Sequence, residues 1–189
     1  MSTGLRIQIA EYDRLVERGF FAELGEKRIE LIYGELREMN PAGPSHEYVL
    51  SLLTEWFYLN IAPKAEVMLR VQTSIGIPSL ESVPEPDLAW VRRRDYRRRR
   101  PQAEDVTLLI EVADSSLAYD CGEKAALYAQ AGIRDYWVVS IREGCVHVIR
   151  EPAADEYTQK TRYGIDERVS PLACPDIALE VGPLFGYGP

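Results

Sequence analysis

Residues 106–139 read VTLLIEVADSSLAYDCGEKAALYAQAGIRDYWVV, and the succession of patterns within them sets the fold class. Val106 to Val112 is a short apolar run bounded by polar residues, which predicts a buried strand. Tyr119 to Ala131 is dense in Ala and Leu and is closed by Gly132, which predicts a helix. Asp135 to Ser140 returns to β-branched and aromatic residues and predicts another strand. Alternating strands and helices indicate an α/β domain around one central mixed β-sheet flanked by helices, with additional β-hairpins.

One residue in this stretch breaks its own pattern. Glu111 is a carboxylate inside the apolar run LLIEVA, and a buried ionised carboxylate is costly unless something compensates it. Two compensations are available: an internal ion pair with Lys124, or a bound cation. Lys124 sits on the predicted helix, where Ala125, Ala126, Leu127, Tyr128, Ala129 and Ala131 are apolar nearly all round; Lys124 and Tyr128 fall on one stripe. Such a lysine either snorkels to solvent or folds back over the sheet. Asp87 opens another predicted strand, Asp87 to Val91, after the rigid approach Pro84-Glu85-Pro86. It is either a turn aspartate or a second acid at the strand end.

Working outward, Ile9 to Arg18 has helical apolar spacing. Arg28 to Tyr33 and Glu35 to Met39 alternate about Gly34 as a hairpin. Within it Glu30 shares a face with Ile32, an unusual neighbour for a solvated acid. After the Pro41–Pro44 loop, Ser45 is placed as an N-cap for a helix from His46 to Ile61, stopped by Pro63. Val67 to Ile77 predicts a strand containing Gln72. Cys145 to Arg150 and Thr158 to Tyr163 predict further strands, the last at an edge. His46 is either a ligand or general base, or a first-turn histidine against solvent; His147 lies on a surface strand and receives no role. The Gly- and Pro-rich end, 182–189, is expected to pack loosely.

With 189 residues, the expectation is a single domain whose core spans about 28–150. Three scattered cysteines without a CxxC pair argue against a disulfide framework or a structural zinc site. The first residues lack the apolar block of a signal peptide, and no apolar run reaches a membrane span, so the cytoplasm is the expected compartment, with no membrane partner. The net charge of −8 excludes a general nucleic-acid coat but not a nuclease, whose metal site needs a local excess of carboxylates. One segment runs against that charge: Arg92 to Arg100 holds seven arginines in nine positions. It is either a solvated loop or a phosphate-tracking lip.

Three stretches together resemble a known family. ELIYGELREMNPAGPSH (30–46), EPDLAWV (85–91) and residues 108–139 are similar to the Uma-type endonuclease family of bacteria, within the PD-(D/E)XK, restriction-endonuclease-like superfamily. The similarity runs from about Glu30 to Val148. It implies that Asp87 and Glu111 are the paired strand carboxylates, Lys124 the displaced lysine and Glu30 the upstream glutamate. Two departures stand out. Ala113 occupies the place where the superfamily motif carries its lysine, so the amine has to come from the helix; and Tyr33-Gly34 replaces the usual Asp-Gly turn.

The resemblance implies a metal-dependent endonuclease acting on DNA. Asp87, Glu111 and the Val112 carbonyl would hold Mg²⁺ or Mn²⁺, and Lys124 would steady the attacking water or the charged transition state. Glu30 would complete the shell or position a second ion. Gln72, Arg92, Arg93, Arg97 and Arg98 are candidate nucleic-acid contacts, and a homodimer is expected on general grounds. A catalytically silent nucleic-acid- or protein-binding relative, and a purely structural Glu111–Lys124 pair, are the alternatives.

Overall fold

The computed structural model describes residues 6–23 and 28–186. Apolar residues at helical spacing wind Ile9–Glu17 into α1, followed by the single turn α2 (Phe20–Glu23). Tyr12 is buried beneath α1 and its hydroxyl donates to the Ile29 carbonyl at 2.7 Å, anchoring the helix to the next element. That element is the predicted hairpin, β1 (Ile29–Ile32) and β2 (Glu35–Glu38), joined by Tyr33 and Gly34. Both loop residues take positive φ, 50° and 77°, as a two-residue turn between twisted strands requires. Tyr33 is an unfavourable residue there. Its hydroxyl accepts a 2.8 Å bond from Gln130, which tethers the turn to a distant helix.

α3 runs from Pro44 to Trp56 and continues through a π-helical turn, Phe57–Ile61. It starts two residues earlier than expected. Gly43 is the N-cap and Ser45 lies inside the first turn, because Pro44 supplies a φ already suited to the first helical position. β3 (Val67–Val71) is shorter than the predicted strand: Gln72 adopts a φ of 47° and turns the chain out of the sheet. β4 (Leu88–Arg92) and β5 (Val106–Ala113) follow. A short helix α4 (Leu117–Tyr119), a π-helical turn (Asp120–Lys124) and α5 (Ala125–Gln130) then form one continuous rod. β6 (Asp135–Ser140), β7 (Cys145–Ala153) and β8 (Glu156–Tyr163) complete the main sheet. Two short strands, β9 (Arg168–Val169) and β10 (Leu179–Glu180), pair with each other.

The main sheet is mixed, in the order β3-β4-β5-β6-β7-β8, and only β5 and β6 run parallel. Parallel neighbours need a long crossover, and the α4–α5 rod supplies it. Burial on both faces explains why β5 and β6 read as unbroken apolar runs. On one face α3 packs Val49, Leu53 and Phe57 against Leu88, Trp90, Leu108 and Ile110. On the other, Leu127, Tyr128 and Ala129 of α5 pack against Ala89, Leu109, Tyr136 and Val138.

The end of the chain departs from expectation. Gly182–Phe185 forms a 3₁₀ turn, and Leu184 joins the α3-side core with Val181 and Leu179, so the chain is packed through this turn; residues 187–189 lie outside the described residues. The apolar residues of that short stretch were too few to show a period.

Gly34 holds the hairpin in two ways. Its φ is one an L-residue adopts at a cost, and an added Cβ would come within 3.1 Å of Arg6 Cβ and the Ile7 carbonyl. Gly34→Ala is expected to destabilise the protein by about 1–3 kcal/mol in urea titration; an unchanged midpoint would show that the hairpin is energetically independent of the sheet.

Candidate active site

The cleft is built from residues that alternate onto one face. Leu109, Glu111 and Ala113 of β5 point towards α5, as do Ala89 and Val91 of β4. Asp87, two residues before Ala89, therefore emerges on the same side. The β4–β5 register pairs Leu88 with Ile110, which sets Asp87 beside Glu111. The Asp87 amide donates to Glu111 Oε2 at 3.2 Å. The α4–α5 rod returns over this spot, bringing Lys124 and Tyr128 down from one helical stripe.

Glu111 is 3% exposed, and its Oε1 accepts from Lys124 Nζ and from the Tyr128 hydroxyl, both at 3.0 Å. Lys124 Nζ lies 3.5 Å from Glu30 Oε2. Glu30 comes from β1 and is held by the Glu85 amide and the Tyr119 hydroxyl, each at 3.3 Å. Asp87 Oδ2 accepts from the Val112 amide at 2.9 Å and lies 3.0 Å from His46 Nε2; its Oδ1 accepts from Gln72 at 3.3 Å. Asp120, bonded to Ser116, adds a fourth buried carboxylate. These groups line a cleft of about 420 Å³.

Asp87, Glu111, Lys124 and Glu30 are thus brought together. Gln72 reaches the cleft not from mid-strand, as expected, but from the left-handed kink after β3, and its amide is spent on Asp87. His46 occupies the first turn of α3 and faces Asp87 rather than solvent. Tyr119, Asp120 and Ser116 were not singled out from sequence. The available signal was Asp120 itself, an acid four residues before Lys124 at the head of an apolar helix. The π-turn that carries Asp120 and Lys124 is a rare geometry that recurs at functional sites.

The arginine run is placed elsewhere. Arg92, Arg93, Arg97 and Arg98 follow the far end of β4, about 17 Å of strand away from Asp87, so they form no lip on this cleft. Arg94 and Arg99 converge on buried Asp105, each at 2.9 Å, and Arg97 pairs with Asp95. Proximity in sequence to the Asp87 strand was misleading because a strand separates its two ends in space.

Charge accounts for the ionisation behaviour of the site. Four buried carboxyl groups, Glu30, Asp87, Glu111 and Asp120, face one buried lysine, an excess of three acidic groups over basic ones before His46 is counted. Burial pushes Glu111 up to about 8 despite Lys124. Burial also raises Asp120. For Asp87, burial acts upward, but His46, the Val112 amide and Gln72 outweigh it and hold the group below its usual value. The hydrogen bond to Asp87 raises His46. Burial alone would lower Lys124, yet Glu111, Glu30 and Asp120 raise it, so its ammonium stays charged.

The donor set is dominated by carboxylates, with one imidazole, His46, turned to Asp87 and no thiol among the lining residues. Oxygen ligands of this kind suit Mg²⁺ or Mn²⁺. A divalent cation would also favour the ionised form of the crowded acids, the burial-raised Glu111 among them, so the residues fit such an ion.

A family model described as "Putative restriction endonuclease" matches residues 9–182. The chain belongs to the Uma2 family. The Uma2 match covers both helical layers and the whole main sheet. A crystal structure described as a "putative nuclease belonging to DUF820", from Anabaena variabilis, has the same fold at 15% identity, with a TM-score of 0.74 over 96% of this chain and 98% of that one. No functionally curated protein matches. No helix among the described residues is long and apolar enough to cross a membrane.

Two outcomes follow from the buried charges. Lys124→Met leaves Glu111 and Glu30 without their cation and is expected to cost about 3–5 kcal/mol in urea unfolding. Adding Glu111→Gln should recover part of that loss; simple additivity would mean the pair is not coupled. Separately, a carboxyl raised from 4.5 to about 8 favours the folded state while protonated. That contribution is full below pH 4.5 and is lost as pH rises through 8. Glu111→Gln should flatten this part of the stability–pH profile, and an unaltered slope would assign it to another group.

Proposed function

We propose that this Uma2 protein is a metal-dependent endonuclease that hydrolyses DNA phosphodiester bonds at the Asp87–Glu111 cleft. The observation that carries the reading is the crowding of buried acids: Asp87 and Glu111 side by side at one end of adjacent strands, with Glu30 and Asp120 behind them, and a single lysine among the four. An internal ion pair alone leaves that crowding unexplained.

In this reading Asp87 and Glu111, with the Val112 carbonyl, hold Mg²⁺ or Mn²⁺. When bound, the ion supplies Lewis-acid stabilisation of the phosphate and a more acidic water. His46 and Gln72 fix the orientation of Asp87 through their bonds to its two oxygens. Lys124 keeps its proton, so it acts as a fixed positive charge and not as a base, stabilising negative charge that builds on the phosphate. Glu30 holds Lys124 over the cleft, and Tyr119 and the Glu85 amide hold Glu30 in turn. Arg28 and Arg37 at the cleft wall are the nearest cationic groups for flanking phosphates.

Linear, supercoiled, branched and single-stranded DNA incubated with Mg²⁺ or Mn²⁺ should reveal at least one cleaved form. Asp87→Asn, Glu111→Gln and Lys124→Ala should each reduce the rate by at least about a hundredfold, with fold checked by circular dichroism. Cleavage surviving in all three variants would remove the site assignment. DNA binding without cleavage by the wild type, with no heat of Mn²⁺ binding in calorimetry, would favour a silent binding relative.

A further inference from the structure

The structure holds a second cluster of metal-competent side chains, outside the carboxylate cleft. Cys145 and His147 lie two residues apart on β7, so their side chains leave the same face of the strand. Glu143, in the turn between β6 and β7, folds back towards them. Cys145 Sγ is 3.4 Å from His147 Nε2 and 3.5 Å from Glu143 Oε2, and His147 Nε2 is 3.0 Å from the same oxygen. We propose that Glu143, Cys145 and His147 bind a zinc-class divalent cation, with the fourth coordination position open to solvent.

The dimensions support this. Zinc bonds of about 2.3 Å to sulfur and about 2.0–2.2 Å to nitrogen and oxygen place tetrahedral donor atoms roughly 3.3–3.6 Å apart. Two edges of the observed triangle already have that length, and the nitrogen–oxygen edge needs to open by about 0.3 Å. Hydrogen bonding alone leaves the triangle incomplete. The thiol and one imidazole N–H provide two protons for three contacts, whereas one cation satisfies all three donors at once.

The chemistry separates this cluster from the cleft. Sulfur and imidazole select a softer ion than an all-oxygen set does. Thiolate and carboxylate together balance the charge of a divalent ion, and the thiol proton leaves to solvent on binding. Cys145 is fully buried while the Glu143 and His147 side chains are 45% and 25% exposed, so one side is enclosed and the other admits water. Arg162 pairs across from His147 and donates to the Glu143 carbonyl, which ties the turn carrying Glu143 to β8. The row Glu111–Val138–His147 crosses β5, β6 and β7, placing the cluster about 10 Å from Glu111.

Titration of the purified, metal-free full chain with Co²⁺ tests the proposal. A thiolate-to-cobalt charge-transfer band should appear at one equivalent and be displaced by Zn²⁺; no cysteine lines the carboxylate cleft, so that site cannot produce it. Cys145→Ser should abolish the band, while Cys121→Ser and Cys174→Ser should retain it. Glu143→Gln and His147→Ala, at more exposed positions, should weaken Zn²⁺ binding at least about tenfold and decide the matter if Cys145→Ser fails to fold. Absence of the band in the wild type, its survival in Cys145→Ser, or full affinity in both exposed variants would overturn the assignment.

Discussion

The ammonium of Lys124 is the constraint on which the rest of the site depends. It lies 3.0 Å from Glu111 and 3.5 Å from Glu30, with all three groups almost wholly buried. One acid comes from the central strand β5, the other from the peripheral hairpin, and the cation from the crossover helix. Three separately folded elements are thereby locked to one point. The desolvation cost of these charges is large, and removing any one strands the others. Such an arrangement is a poor way to gain stability, since apolar residues would fill the space as well, and buried charged clusters of this kind concentrate at functional sites.

The crossover explains how a helix-borne lysine comes to lie beside Glu111. Ala113, two residues after Glu111, faces the same side but is a methyl group packed into the α5-side core. The parallel pairing of β5 with β6 requires a connection over that face, and the connection passes above Glu111. The π-turn at Asp120–Lys124 carries an acid and an amine four residues apart, and both are buried. Sheet topology thus supplies the amine by a different covalent route.

Much of this was legible in the sequence, for identifiable reasons. Glu111 stood out because an acid within LLIEVA violates a strong burial rule, and Asp87 because prolines fix its approach. The strands and the crossover helix followed from periods of two and 3.6 residues. What escaped was set by tertiary geometry. Gln72 breaks its strand through a single backbone angle that no periodicity records. The arginine run follows β4 as its sequence position requires, but the length of the strand carries it away from Asp87, and adjacency in sequence does not show that separation. His46 looked like an ordinary first-turn histidine until α3 was packed on the sheet with its start beside Asp87. Glu143, Cys145 and His147 alternate as any edge-proximal strand does, and only the folded turn brings Glu143 back onto them.

For the proposed nucleic-acid substrate, the charge of this chain acts at two scales. The net charge of −8 repels nucleic acid at long range, and the cleft adds local repulsion of its own. Screening reduces the first effect within about 8 Å at physiological salt. It leaves the second almost untouched, because the carboxylates are buried. In the proposed reading, a divalent ion in the cleft would remove most of that local repulsion for an approaching phosphate. Metal binding in such a site would govern substrate association as well as hydrolysis, and the two should show the same dependence on ion concentration. Arg28 and Arg37 are paired with Glu85, Glu35 and Glu123, as Arg94, Arg97 and Arg99 are with Asp105 and Asp95; what sets the first two apart is their place in the cleft wall.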